Sequence, residues 1–252
     1  MPQYSVGQAI RGFRERKGII QSVLCDGICS VASLSKIENG QQNPSATVME
    51  ALLERLGQPI GLYNVPVTEI RYKRAFLENK IIDIVAELGN NIKDLLDEYA
   101  NLPEPMDKFE QQFYLYMSGI QKYLNGENPE IVLIDYLKAL KLTFSKYDLS
   151  SLNNEKYFTS MELVILNNIA LVQYRLKKTK VAEGILFFLK EYYESGKIDD
   201  VSVEKEYPVI LANLSDWMEL SGRYKEEYEL AKIGLDFCVK KRKTLSSGGD
   251  GI

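Results

Sequence analysis

Residues 23–40, VLCDGICSVASLSKIENG, decide how this chain folds. They read as two short helices separated by a tight turn. Leu24, Cys25 and Ile28 fall on one face of the first, which starts near Gln21, and Ser30 is placed to cap the second. Val31, Leu34 and Ile37 then recur at helical spacing. Asn39-Gly40 ends the run, because glycine accepts the left-handed conformation that follows a helix. Cys25 and Cys29 are two of the chain's three cysteines. Two thiols cannot complete a tetrahedral metal site, and there is no histidine and no second nearby pair to supply the rest. They read as a core residue and a turn residue, with a thiol switch at Cys29 as the alternative.

Working outward, Ser5 and Gln8 have capping-box spacing, and Ile10 and Phe13 give a first helix ending near Gly18. Pro44-Ser45 opens a further helix with Val48, Leu52 and Leu56, closed by Gly57. Residues 1–57 therefore form a unit of short helices. The stretch GQPIGLYNVPV (57–67) is rich in proline and glycine, which places a linker at 58–68. Everything after it reads as helical, in pairs at 69–101, 107–147, 157–194 and 203–243. The chain then runs into SSGGDGI (246–252), which is no helix, so 244–252 are assigned to a disordered tail. The expected fold class is all-α.

At 252 residues, 45% hydrophobic and 26% charged, the composition is that of an ordinary soluble protein. The sequence holds no apolar run of about eighteen residues, which argues against a membrane span, and no apolar segment in its charged beginning that would read as a signal peptide. An odd cysteine count without secretory context points to a reducing, cytoplasmic setting. The lack of histidine removes the commonest general base and metal ligand. With no nucleophile–base pair, phosphate loop or metal cluster in view, the reading is not an enzyme, and no cofactor is expected. Net charge is −4, but residues 1–57 carry six Lys/Arg against five Asp/Glu, leaving −5 for the rest. An acidic bulk does not exclude DNA binding if the head's cations share one face. KKRK at 240–243 reads as a solvated helix end, with a nucleic-acid patch as the minority alternative.

The later helix pairs repeat. ILNNIALVQYRLKKTKVAEGILFFL from Ile165 and ILANLSDWMELSGRYKEEYELAKIGL from Ile210 share Ile-Leu-x-Asn at a separation of 45. Such repetition argues for a solenoid whose helix pairs bury their faces on their neighbours. LSGRYKEEYELAKIGL (220–235) resembles a tetratricopeptide repeat, and YLNGENPEIVLIDYLKALKL (123–142) is a looser copy. Trp217 and Tyr224 are assigned to the core.

AIRGFRERKGIIQ (9–21) and SLSKIENGQQNPS (33–45), with the Ile-Glu-Asn-Gly ending intact, resemble the helix-turn-helix domain of lambda-repressor-like (XRE-type) regulators over about fifty residues. The turn is one residue shorter than in the commonest repressors, and Cys29 stands where glycine is usual. That shortening, with ICSVASLSKIENG, resembles the peptide-pheromone-responsive RNPP regulators of Gram-positive bacteria, of Rgg and PlcR type. Their second half is a tetratricopeptide-like solenoid, which matches the TPR-like helical-repeat domain read at 69–243.

The resemblance implies a transcription regulator that acts as a homodimer on two DNA half-sites roughly 34 Å apart, with a short peptide as ligand and no membrane partner. It places Gln21 on a phosphate, and Val31, Ala32 and Lys36 toward the major groove. Ser30 and Ser33 could donate to phosphate or base, and Gln42 and Asn43 are phosphate contacts. Lys36 is this helix's candidate for guanine, and Val31 and Ala32 for thymine methyls. Arg11, Arg16 and Lys17 add positive potential or are ordinary surface. Arg14 is expected to pair with Glu38 inside the head. Groove asparagines hold the peptide in the resembled regulators; here that role falls on Asn168 and Asn213, with Asn167, Tyr174 and Asp216 beside them. The end of the chain departs from the pattern. Either Leu235 to Val239 are covered by a partner chain, or the protein is a shortened relative, and the rival functions are a regulator without a peptide or a protein-interaction scaffold.

Overall fold

The computed structural model describes residues 5–58, 67–87, 89, 91–144, 152 and 155–247, with side chains through Lys240 in the last helix. The described residues form twelve α-helices and no strand. Four make the N-terminal head: α1 (Val6–Arg16), α2 (Gln21–Leu24), α3 (Val31–Glu38) and α4 (Ala46–Arg55). Their starts follow from local chemistry. Ser5 and Gln8 form the capping box of α1, Ser30 Oγ accepts from Ser33 N to start α3, and Ser45 does the same for α4 from Val48 N. Ile10, Leu24, Cys25, Ile28, Leu34, Ile37 and Leu52 close one core. Gly7 lets α1 lie directly on α3, since a Cβ there would sit 1.8 Å from the Ile37 carbonyl oxygen.

Eight helices make the body: α5 (Glu69–Ala86), α6 (Lys93–Ala100), α7 (Lys108–Leu124), α8 (Pro129–Lys141), α9 (Ser160–Arg175), α10 (Thr179–Glu194), α11 (Asp200–Leu220) and α12 (Tyr224–Ser247). They pack in succession, α7 with α8, α9 with α10 and α11 with α12, while α8 lies on α9 and α10 on α11. One core runs through them, from Leu77 and Tyr99 through Tyr136 and Leu166 to Leu214 and Met218.

Three expectations are corrected or lie elsewhere. Helix α12 continues through Ser247, four residues past the boundary at Lys243, because extending a helix costs far less than starting one. The rest of the expected tail, 248–252, lies outside the described residues, as does 59–66 of the linker. Trp217 is buried as expected, whereas Tyr224 is 66% exposed. It opens α12 on the side away from Leu230, which is the face that packs.

The head is seated on the body. Phe109 and Tyr157 pack against the head core. Thr47 Oγ1 donates to Asp107 Oδ2 at 2.6 Å, and Ser160 N donates to Glu54 Oε2 at 3.1 Å. Burial, with the Glu50, Asp199 and Glu162 carboxylates adding to it against the Ser160 N–H, pushes the Glu54 carboxyl up to about 7. An unfolded glutamate titrates near about 4.3, so the folded protein binds the extra proton between those values and loses stability as pH rises through them. The urea midpoint is expected to fall between pH 5 and pH 7.5, and Glu54→Gln to flatten that fall. An unchanged slope in the variant would contradict the assignment.

Candidate nucleic-acid interface and repeat groove

Helix α3 has two faces. Leu34, Ile37 and Glu38 turn into the head, while Val31, Ala32 and Lys36 are exposed. The buried face is held by charge. Arg14 Nε lies 2.6 Å from Glu38 Oε1 and Nη2 lies 2.8 Å from Oε2, a bidentate pair 12% and 2% exposed. Arg14 Nη1 also donates to the Ile19 carbonyl at 3.0 Å. Burial opposes ionisation of Glu38, but the Arg14 and Gln21 hydrogen bonds outweigh it and hold the carboxyl below the usual range.

Gln21 Nε2 donates to Glu38 Oε2 at 2.7 Å, so one of the two hydrogens of the amide expected on a phosphate is engaged inside the head. Ser30 and Ser33 are engaged with each other: Ser30 Oγ accepts from Ser33 N at 3.0 Å, and the two hydroxyls are 2.9 Å apart. Gln42 and Asn43 are exposed in the loop between α3 and α4. Arg11 reaches Glu15 at 2.8 Å and Asn39 Oδ1 at 3.4 Å, and Arg16 lies over the Phe13 ring. Cys25 is buried in the head core, and Cys29 is half-buried with its thiol pushed up to about 11, by burial first and then by Cys25. Burial raises both thiols, which favours packing over thiolate chemistry at this pair.

In the body, α7, α9 and α11 are the first helices of their pairs, and amide side chains join them. Asn168 Nδ2 donates to Tyr116 Oη at 2.9 Å and to the Val164 carbonyl at 3.0 Å, while Asn213 Nδ2 donates to Asn167 Oδ1 at 2.9 Å. Asn213 thus meets Asn167 across the repeat, while Asn168, its equivalent in repeat register, reaches Tyr116. Tyr174, Asn213 and Asp216 come together with Leu171, Leu186 and Trp217 around a cavity of about 160 Å³ between α9, α10 and α11. Asn167 and Asn168 are not among its lining residues. Trp217 meets Tyr174 edge to face at 4.8 Å between centroids. Its indole Nε1–H is buried without a hydrogen-bond partner among the described residues. Sequence reasoning assigned Trp217 to packing alone; its position one turn after Asn213 was the available signal for the cavity.

Residues 10–62 match the family model described as Helix-turn-helix, about a fifth of the chain. No curated protein matches the chain. Among solved structures, Bacillus thuringiensis PlcR in complex with the peptide PapR7 and DNA is 18% identical, with a TM-score of 0.57 over 95% of this chain and 81% of that one. The apo competence regulator ComR from Streptococcus vestibularis is 16% identical over 98% of both chains, with a TM-score of 0.40. The SHP pheromone receptor Rgg2(C45S) of Streptococcus dysgalactiae is 14% identical over 97% of both chains, with a TM-score of 0.36. The chain thus carries a helix-turn-helix domain on an all-helical repeat body and shares the fold of PlcR.

Proposed function

We propose that the chain is a cytoplasmic, sequence-specific DNA-binding transcription regulator, acting as a homodimer and controlled by a short peptide held by the repeat body. The observation that carries the reading is the outward face of α3, a capped helix of a helix-turn-helix domain that presents Val31, Ala32 and Lys36 to solvent. Lys36 supplies the cation for guanine or phosphate, Val31 and Ala32 the apolar contact for thymine methyls, and Gln42 and Asn43 the flanking phosphate contacts. Ser30 and Ser33 build the cap that points α3, and Gln21 supports Glu38. That PlcR, whose fold this chain shares, was solved with both a peptide and DNA supports the pairing of the two ligands.

A cavity of about 160 Å³ is smaller than the several hundred Å³ that usually enclose a small-molecule ligand. It suits one apolar side chain of an extended peptide, with Asn213 and Asp216 of its lining to meet the backbone beside it. One experiment tests both halves. DNA selected from a random pool is titrated with the purified chain across a salt series, with and without a library of short apolar peptides. Lys36→Ala is expected to weaken the specific complex roughly tenfold or more and to relax selection at one position. A peptide that binds is expected to move the emission of Trp217, the chain's single tryptophan. Selection of no sequence above the random pool would overturn the DNA reading, and an unmoved emission across the library would overturn the peptide reading.

A further inference from the structure

The turn between α2 and α3 exposes a run of carbonyl oxygens, and the body answers them. Arg55, at the end of α4 and 0% exposed, donates through Nη1 to the carbonyls of Leu24, at 3.1 Å, and Asp26. Its Nη2 faces both carboxylate oxygens of Glu162, at 3.2 and 3.4 Å. Glu162 belongs to α9, is itself 0% exposed, and also accepts from Thr159 N at 2.8 Å as part of that helix's capping box. Lys108, at the start of α7, donates to the carbonyls of Gly27 and Ile28. Lys156 Nζ stands 3.3 Å from Asp26 Oδ2. Four carbonyls in a span of five residues are thus held by two cations, one supplied by the body and the other neutralised by it.

A guanidinium in a dry interior without a counter-ion is strongly unfavourable, so Arg55 can stay on the turn only where Glu162 meets it. Helix α3 begins three residues after Ile28, and its direction is set by that turn. We infer that Glu162 and Lys108 are positioning residues for DNA reading: the repeat body completes the turn of the helix-turn-helix and fixes where the recognition helix points. The inference rests on the DNA-reading proposal for α3. It extends that proposal to two residues far from any base, one of them on the helix that also carries Asn167 and Tyr174.

The test uses the full chain. Glu162→Gln removes the charge but keeps a side chain able to complete the capping box, and Lys108→Gln removes the second cation without stranding a buried charge. Amide hydrogen exchange of residues 21–38 in the absence of DNA is expected to quicken at least tenfold in either variant, while α10 keeps its wild-type rate. Specific binding to the selected DNA is expected to weaken at least tenfold, with non-specific binding at the same salt unchanged, because no groove-facing residue has been altered. Wild-type exchange in 21–38 in both variants would overturn the inference, as would faster exchange with specific affinity intact. If the wild-type chain selects no DNA, the DNA-reading proposal fails by itself, and the exchange measurement still decides whether the body holds the turn.

Discussion

Arg14→Ala is expected to destabilise the head by about 3–5 kcal/mol, the usual cost of breaking a buried ion pair from one side. Glu38 is 2% exposed and receives two of its hydrogen bonds from Arg14; without them it keeps the amide of Gln21 alone. The Ile19 carbonyl loses its donor in the same step. Arg14→Lys is expected to recover only part of the loss, since an ammonium cannot offer the two parallel N–H groups that meet the carboxylate. Urea unfolding followed by hydrogen exchange of α1 and α3 measures it, and an Arg14→Ala chain with the wild-type midpoint would contradict it. The pair also has an acid signature. A carboxyl held below its unfolded pKa stabilises above that value and loses the contribution as pH falls through the folded one, so the loss in Arg14→Ala should shrink toward low pH.

Gly27→Ala is expected to unseat the head. Gly27 has φ +73°, which alone costs a residue with a side chain about 1–3 kcal/mol. An added Cβ would also lie 1.6 Å from the Thr143 carbonyl oxygen of the body, a backbone atom that cannot swing aside. Two controls separate the contributions. Gly18 has φ +65° with open space around it, so Gly18→Ala reports the backbone strain alone. Asparagine tolerates a positive φ better than alanine, so a defect shared by Gly27→Asn and Gly27→Ala comes from the collision. The expected result is faster exchange at residues 21–38 in both Gly27 variants, and a urea midpoint that falls further in them than in Gly18→Ala, which loses only the share due to backbone strain. Equal behaviour of Gly18→Ala and Gly27→Ala would show that the head does not bear on Thr143.

The parts of this structure governed by short-range chemistry were legible. Ser5, Ser30 and Ser45 mark helix starts within a few residues, and Leu34 and Ile37 mark the buried face of α3 by their spacing. The Arg14–Glu38 pair was reached through resemblance to a domain in which those positions meet. What was not legible depends on direction or on distance along the chain. The repeat of Ile-Leu-x-Asn places Asn168 and Asn213 at equivalent positions, but which side chains meet between helices depends on how α9 and α11 pack, and there Asn213 meets Asn167. Gln21 turns inward because Glu38 has an acceptor to spare, a fact that only the folded head supplies. Arg55 and Glu162 are 107 residues apart, and neither stands in a local pattern that distinguishes it from a solvated helix charge.

The bonds from Asn168 to Tyr116 and from Asn213 to Asn167 bear on the mechanics of the body. Apolar surfaces can slide by a fraction of an ångström with little loss, and a stack of helix pairs held only that way bends like a loose spring. A hydrogen bond at 2.9 Å has a short reach and a preferred angle. It works as a tether. The layer of α7, α9 and α11 is therefore tied at both of its steps, and in the layer of α8, α10 and α12 the last step is tied as well, by Arg223 just before α12 to Glu183 of α10. Bending that opens the first layer must break an amide tether, and bending that parts α12 from α10 must break an ion pair.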